Sequence, residues 1–162
     1  MTQSAVFFIF PALMVFAASY DCLAMTISNR LCLVIAAAFF PSAIVAGFGG
    51  ETIALHAACG LAMLALGFLL FARGWIGGGD AKLFAAAALW FGWDATLDFG
   101  IATAIAGGLL ATAILGMCEI ARYFPAATLI RFPSRPEMPY GVALAAGALF
   151  TYPHTQWVQL LS

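Results

Sequence analysis

The chain has 162 residues, of which 65% are hydrophobic and 8% are charged, with a formal net charge of −1 at pH 7. This composition excludes an ordinary soluble domain, and it argues against nucleic acid as a partner, because such binding needs many cationic contacts to phosphates. A membrane span takes about 20 mostly apolar residues, so about six spans would use the whole chain. We therefore predict an all-α membrane protein, a polytopic bundle of about six transmembrane helices that forms a single domain (residues 1–162) within the lipid bilayer.

Polar residues, glycines and prolines divide the chain into six apolar stretches. The first is interpreted as a retained span and not as a cleaved signal, because no Lys or Arg precedes it. The fourth is short, and four prolines between the fifth and the sixth exclude one continuous helix there. The predicted spans are Ala5 to Leu23, Leu31 to Phe48, Thr52 to Ala72, Ala81 to Asp94 or Asp98, Phe99 to Ala121, and Tyr140 to Val158.

The basic residues predict the direction in which each span crosses the membrane. All 6 of them fall in the loops after spans one, three and five. The charged residues in the loops after spans two and four are all acidic. Because cytoplasmic loops are enriched in Lys and Arg, these three loops are predicted to be cytoplasmic, with both termini on the outer, periplasmic side. The basic residues are Arg30, Arg73, Lys82, Arg122, Arg131 and Arg135.

Two aspartates are predicted to meet near the cytoplasmic face. Asp21 ends span one as it reaches the cytoplasm, and Asp80 precedes span four as it leaves. An Asp in a membrane segment costs roughly 2.5–3.5 kcal/mol even on a lenient scale, so its presence indicates a function. Paired carboxyl groups suit peptide hydrolysis, because one can take a proton from water while the other, protonated, assists the carbonyl oxygen. We therefore predict an intramembrane aspartic protease with Asp21 and Asp80 as catalytic residues.

A glycine run, Gly77, Gly78 and Gly79, directly precedes Asp80. Glycines permit unusual dihedral angles and the close approach of another backbone, so the run is predicted to be a loop that holds an extended substrate. The alternative is a tight turn between spans three and four, with Asp80 as the N-cap of the next helix. Lys82 could tune the charge of Asp80, although a cytoplasmic anchor that extends to the lipid headgroups is the simpler interpretation.

No metal site and no cofactor are predicted. The four cysteines are far apart in sequence and form no Cys-x-x-Cys pair, so we interpret them as core residues. His56 is interpreted as a packing histidine. The tryptophans are interpreted as members of the aromatic belts at the membrane interfaces; they are Trp75, Trp90, Trp93 and Trp157.

Three stretches of the chain resemble the type IV prepilin peptidases, Gly-x-Gly-Asp aspartic proteases of bacterial inner membranes, and especially their short form associated with Flp/Tad pilus assembly. These are Asp21 with Ile27 to Arg30, then Gly77 to Leu83, and finally Pro139 to Ala143. The resemblance implies that Asp21 and Asp80 are the catalytic aspartates of a multi-pass inner-membrane enzyme. It also implies that the substrates are membrane-inserted prepilin and pseudopilin precursors, which lose a cytoplasmic leader just before their hydrophobic segment.

The chain departs from that family in two respects. Ser28 stands where the family often has proline, which should affect the stiffness of the loop more than the chemistry. Longer members also carry a cytoplasmic segment with four zinc-binding cysteines and methylate the new amino terminus. This chain has neither the segment nor the cysteine pairs, so no methyltransferase domain or activity is expected.

Two other functions compete with the protease. A small membrane transporter or proton pathway could use the same acids, but its polar groups should continue across the bilayer. No acid, His or Lys is clearly placed mid-membrane in spans two, five or six. The third possibility, a non-catalytic membrane scaffold, would leave the two intramembrane aspartates without a purpose.

Overall fold

The computed structural model describes residues 2–123 and 138–159, and the regular structure in these ranges is helical. The helices are α1 (Thr2–Ala24), α2 (Asn29–Val45), α3 (Gly50–Ala72), α4 (Gly78–Tyr123), α5 (Tyr140–Thr151) and α6 (Gln156–Gln159), and a 3-10 turn (Tyr152–His154) joins α5 to α6. Arg131 and Arg135, on which the predicted orientation partly depends, lie outside the described residues.

Three of the described helices are long and apolar enough to cross a membrane, namely Val6–Ala24, Gly50–Ala72 and Gly78–Glu119. Helix α2 is also apolar but shorter, with 17 residues. Large apolar side chains such as Leu33 and Leu61 are more than 60% exposed, at 69% and 68%. Long helices with apolar outward faces are typical of membrane proteins. Their backbone polar groups are hydrogen-bonded within each helix, and their apolar side chains face lipid.

Helix α4 is sharply broken at Gly92, where φ is 65° and ψ is −170°. We call residues 78–91 its first segment and residues 93–123 its second segment. The rings of Phe84 and Phe99 stack with centroids 4.9 Å apart, although a straight helix would separate these residues by about 22 Å. The second segment therefore folds back along the first. The sequence predicts this break between Asp94 and Asp98, and the structure places it slightly earlier.

The break falls at Gly92 for two physical reasons. A positive φ is readily adopted by glycine, which has no Cβ. A Cβ at this position would also lie 2.8 Å from Nε2 of His56. His56 itself is buried, with Nδ1 2.9 Å from the carbonyl oxygen of Leu89 and its ring stacked on Phe39. The interpretation of His56 as a packing histidine is confirmed.

The last predicted span, Tyr140 to Val158, is not one continuous helix. Helix α5 ends at Thr151 after 12 residues, and the 3-10 turn contains Pro153, which has no N–H to continue an α-helix. The Thr155 hydroxyl closes the turn by donating to the carbonyl oxygen of Tyr152 at 2.6 Å. The chain beyond the turn then leads into the core.

Two of the four tryptophans lie in this core. Trp90 is 0% exposed and Trp157 is 4% exposed. The indole N–H of Trp90 donates to the carbonyl oxygen of Ile35 at 2.9 Å, and that of Trp157 donates to the carbonyl oxygen of Trp90 at 2.8 Å. The interpretation of these two as interfacial belt residues is wrong, because both find their hydrogen-bond partners inside the bundle. Trp75 and Trp93, by contrast, are exposed.

Candidate active site

Asp21 is a buried carboxylate, 4% exposed, near the end of α1. Its Oδ2 accepts a hydrogen bond of 2.7 Å from the backbone N–H of Gly141, the second residue of α5. The first N–H groups of a helix have no partner within the helix, so the start of α5 has a donor available for this carboxylate. A Cβ at Gly141 would lie 2.8 Å from the same oxygen, which is why a glycine is required at this position.

Asp80 lies in the first turn of α4 and is half-buried. Because α4 begins at Gly78, Asp80 is inside the helix and is not its N-cap. Its Oδ2 lies over Gly77, where a Cβ would come within 2.6 Å of it. Asp80 borders a cavity together with Tyr140, and the residue that follows Tyr140, Gly141, holds the carboxyl group of Asp21. Two acids from distant parts of the sequence therefore share one site.

The structure differs from the predicted glycine loop. Gly78 and Gly79 are the first two residues of α4, and only Gly77 precedes the helix. None of the three has a positive φ. Their lack of a side chain allows close packing. A Cβ at Gly79 would lie only 3.1 Å from Cβ of Ile27, and a Cβ at Gly78 only 3.2 Å from Cε2 of Phe71. The glycines let α4 start in close contact with its neighbours, and their role in holding a substrate stays a prediction.

Lys82 connects the starts of two helices. Its Nζ donates a hydrogen bond of 2.8 Å to Oδ1 of Asn29, the first residue of α2. Ser28 is the N-cap of α2, and its hydroxyl oxygen accepts from the backbone N–H of Arg30 at 3.3 Å. The bond between Lys82 and Asn29 was not anticipated by either interpretation of Lys82. An effect of Lys82 on the charge of Asp80 stays a prediction.

Tyr140 and Gly141 are site residues to which the sequence gave no role. Tyr140 borders the same cavity as Asp80, and its ring packs so closely on Gly107 that a Cβ there would lie 2.9 Å from Cε2 of the tyrosine. Gly141 holds Asp21 through a backbone N–H. A bond donated by the backbone needs no particular side chain, and a glycine alone does not identify its partner, so only the similarity of residues 139–143 to a known family could have indicated this segment.

Two cavities lie on opposite faces of the first segment of α4. One, of about 250 Å³, is bordered by Asp80, Tyr140 and Thr103 together with apolar side chains. The other, of about 550 Å³, lies between α2, α3 and α4 and is almost wholly apolar, with Asn29 and Lys82 in its wall. The smaller cavity is therefore the one that reaches a candidate catalytic carboxylate.

Within the described ranges, no group of three or more His, Cys, Asp or Glu side chains is placed to hold a metal ion. The four cysteines form no disulfide. Cys32 and Cys59 are buried, but Cys22 is exposed and Cys118 is half-buried, so the interpretation of all four as core residues is wrong. The chemistry that this site itself offers is acid–base chemistry between two neighbouring carboxyl groups, one of which can hold a proton while the other accepts one.

Comparison with known proteins gives one finding. A sequence model of the type IV leader peptidase family matches residues 8–112. The matched range holds both aspartates and the glycine run and ends before α5. Neither the comparison with curated proteins nor the comparison with solved structures gave a match.

Proposed function

The chain belongs to the type IV leader peptidase family, and from this premise we propose that it is an aspartic endopeptidase that removes the leader peptide of Flp-type prepilins and related pseudopilins. The observation that carries this proposal is that Asp80 and Tyr140 border one cavity while the next residue, Gly141, binds Asp21. Asp21 lies near the end of α1 and Asp80 lies in the first turn of α4, so both acids are close to helix ends at the start of α5. A buried acid without such a purpose would only cost stability.

The proposed reaction is a water-mediated hydrolysis. One carboxylate takes a proton from a water molecule as that water attacks the carbonyl carbon of the scissile peptide bond. The other, protonated carboxyl group donates a hydrogen bond to the carbonyl oxygen and supports the tetrahedral intermediate. The carboxyl group that took the proton from water then gives it to the amine nitrogen, the C–N bond breaks, and the leader leaves with the new carboxylate. The hydrogen bond from Gly141 gives the Asp21 carboxyl group a defined position for this chemistry, and the Asp80 carboxyl group lies against Gly77.

The proposed setting is the bacterial inner membrane, with the site at its cytoplasmic side and six spans. In this proposal the two segments of α4 form the fourth and fifth crossings, and their antiparallel packing supports it. The bond between Lys82 and Asn29 supports a common side for the turns after α1 and α3. Both termini would then be periplasmic, and the substrate would present its leader from the cytoplasm and its apolar helix from the bilayer.

A transporter or proton pathway is less well supported. The buried polar side chains in the described residues, apart from Asp21, are hydroxyl groups and His56. His56 bonds to the carbonyl oxygen of Leu89 and stacks on Phe39, an arrangement typical of packing. The acids therefore do not continue into a line of titratable groups through the bundle.

The proposal is tested by co-expression with a tagged precursor that has a short polar leader followed by an apolar helix. Asp21→Asn and Asp80→Asn should each abolish leader removal, because an amide keeps the size of the carboxyl group but cannot accept a proton from water. Processing is measured by gel mobility and by mass spectrometry of the new amino terminus. Asp98→Asn, which changes an exposed acid on α4, is the matched control and should cleave normally.

Membrane abundance and thermal unfolding of each variant separate lost chemistry from lost folding. Near-normal processing by either Asp21→Asn or Asp80→Asn would remove that residue from the catalytic pair. Failure of the wild-type protein to process any precursor, together with ion flux in proteoliposomes that depends on the two aspartates, would favour the transporter.

A further inference from the structure

We propose that the cavity beside Asp80 binds the first side chain of the substrate's apolar helix, the residue that directly follows the cleaved peptide bond. This inference rests on the proposed function and adds to it a specificity pocket. The cavity has a volume of about 250 Å³ and is bordered by α3, by both segments of α4 and by the start of α5. Since Asp80 and Tyr140 are part of its wall, an occupant of the cavity contacts the candidate catalytic site directly.

The wall of this cavity matches an apolar side chain. Apart from Asp80, Tyr140 and Thr103, its residues are apolar or glycine. The large ones are Met63, Leu66, Leu70, Ile76, Phe84 and Leu144. A polar residue of a leader peptide would lose hydrogen bonds to water here without finding replacements. The residue on the membrane side of the scissile bond is therefore the one that fits.

The cavity also extends in the direction that the apolar helix must take. Phe84 follows Asp80 by four residues and Leu144 follows Tyr140 by four residues, so each lies about 6 Å further along its helix. A peptide bond held at Asp80 thus leaves the next side chain facing this inner space. The site and the pocket form one continuous path from the acid into the bundle.

The rim of the cavity leaves a route from the bilayer. Leu66 on α3 and Ala104 on the second segment of α4 both border the cavity and are exposed. Gly67 and Gly100, which also border it, add no side-chain bulk between these helices. A membrane-inserted substrate can therefore reach the cavity sideways, without first leaving the lipid.

The larger cavity of about 550 Å³ is a poorer candidate for this role. It lies on the other face of the first segment of α4, against Ala85, Ala86 and Leu89, and Asp80 is not in its wall. It offers the experiment a useful comparison, because a substrate that docks there would leave a different set of contacts.

Gly100 gives a direct way to fill the proposed pocket. A Cβ at Gly100 would have Phe84 Cζ as its nearest neighbour, at 3.8 Å, so a side chain can be added there without a backbone clash. Gly100→Ala and Gly100→Leu should progressively reduce cleavage of precursors with Phe or Leu at the first apolar position and should spare precursors with Ala there. Because a change of one methylene in an apolar pocket alters relative rates by about 10- to 200-fold, we expect kcat/KM for Phe relative to Ala to fall at least about tenfold in Gly100→Leu.

Gly108→Leu is the matched control, since Gly108 lies on the same helix segment, borders neither of the two cavities and has nothing within 4 Å of its Cβ position. It should leave the ratio of Phe to Ala unchanged. Met63→Ala provides the reciprocal test, because it enlarges the pocket and should raise the relative rate for Trp at that position. Equal loss across the precursor panel in Gly100→Leu, with no change of preference in Met63→Ala, would overturn the proposal.

Photo-crosslinking identifies the contact independently of rate. A precursor carrying benzoylphenylalanine at the first apolar position is bound to the Asp80→Asn variant, which should hold it uncleaved. Crosslinks to Met63, Gly100 or Ala104 support the pocket, whereas crosslinks to Leu33, Leu61 or Leu64 in the larger cavity overturn it. If the wild-type enzyme cleaves precursors but shows no such contact, the pocket fails while the proposed function stands.

Discussion

The backbone N–H of Gly141 donates a hydrogen bond of 2.7 Å to Oδ2 of Asp21, across 120 positions of sequence. This bond joins the end of α1 to the start of α5, and Asp80, in the first turn of α4, borders the same cavity as Tyr140. Through this bond, a main-chain N–H group of α5 positions the candidate catalytic carboxylate of Asp21. Asp21 lies within the range that matches the leader peptidase family, whereas Gly141 lies beyond its end at residue 112.

Gly141→Ala should reduce leader cleavage by about 100-fold. The added Cβ would lie 2.8 Å from Oδ2 of Asp21 and about as close to its Cβ and Cγ, so the carboxylate must move. A displacement of about 1 Å can cost about 10²-fold in rate. Cleavage of a tagged precursor by purified protein measures the effect.

Gly108→Ala is the control for this substitution, because its Cβ position has nothing within 4 Å. It should retain activity and gain up to about 1 kcal/mol of helix stability. If Gly141→Ala cleaves as fast as Gly108→Ala, the bond to Asp21 does not position the catalytic group.

Lys82→Met and Asn29→Leu should each lower activity several-fold, and the double variant should be no worse than the more impaired single variant. The two side chains form one hydrogen bond, so removing either partner removes the same interaction. A double-mutant cycle on kcat/KM measures the coupling. Strictly additive losses would show that the two residues act separately.

Gly92→Ala should destabilise the fold by at least about 1–2 kcal/mol, because φ is +65° and an L-residue there places its Cβ against the backbone. The new Cβ would also lie 2.8 Å from the His56 ring. Thermal unfolding in detergent should show the loss. Gly100→Ala, at a position with helical dihedrals and a nearest neighbour at 3.8 Å, should unfold close to the wild-type temperature.

Thr103→Val should stabilise the protein by about 1 kcal/mol. The Thr103 hydroxyl is buried against Gly147 and has no hydrogen-bond partner within the described part of the chain. Valine keeps the shape and removes the cost of burying an unsatisfied polar group. A lower unfolding temperature for Thr103→Val would show that this hydroxyl has a partner in the folded protein.

Cysteine labelling should place Met25 and Trp75 on the cytoplasmic side and Gly50 and Leu97 on the periplasmic side. All four positions are exposed, and single cysteines are introduced in a background that lacks the native ones. The reason is the distribution of Lys and Arg among the loops. Labelling of Trp75 and Gly50 from the same side would contradict the alternation of spans from which the orientation was predicted.

The sequence alone determined the class of the protein and the two acids of its candidate site. Apolar stretches of about 20 residues predict a helical membrane bundle, since a helix satisfies its own backbone hydrogen bonds in lipid. Asp21 and Asp80 were identified because a carboxylate in such a chain is costly without a function. The family followed from Gly77 to Leu83 and the other two stretches, and the match over residues 8–112 supports it.

Only the tertiary structure decided how that site is built. The break at Gly92 depends on the space that the His56 ring needs, and the break after Thr151 depends on Pro153 and a closing bond from Thr155. The sequence predicts that Trp90 is an interfacial residue, but in the structure its indole N–H donates to the carbonyl oxygen of Ile35 inside the bundle. The bond from Gly141 to Asp21 is made by the main chain across 120 positions. Such contacts depend on distances between helices, and residue type and spacing along one helix carry no information about those distances.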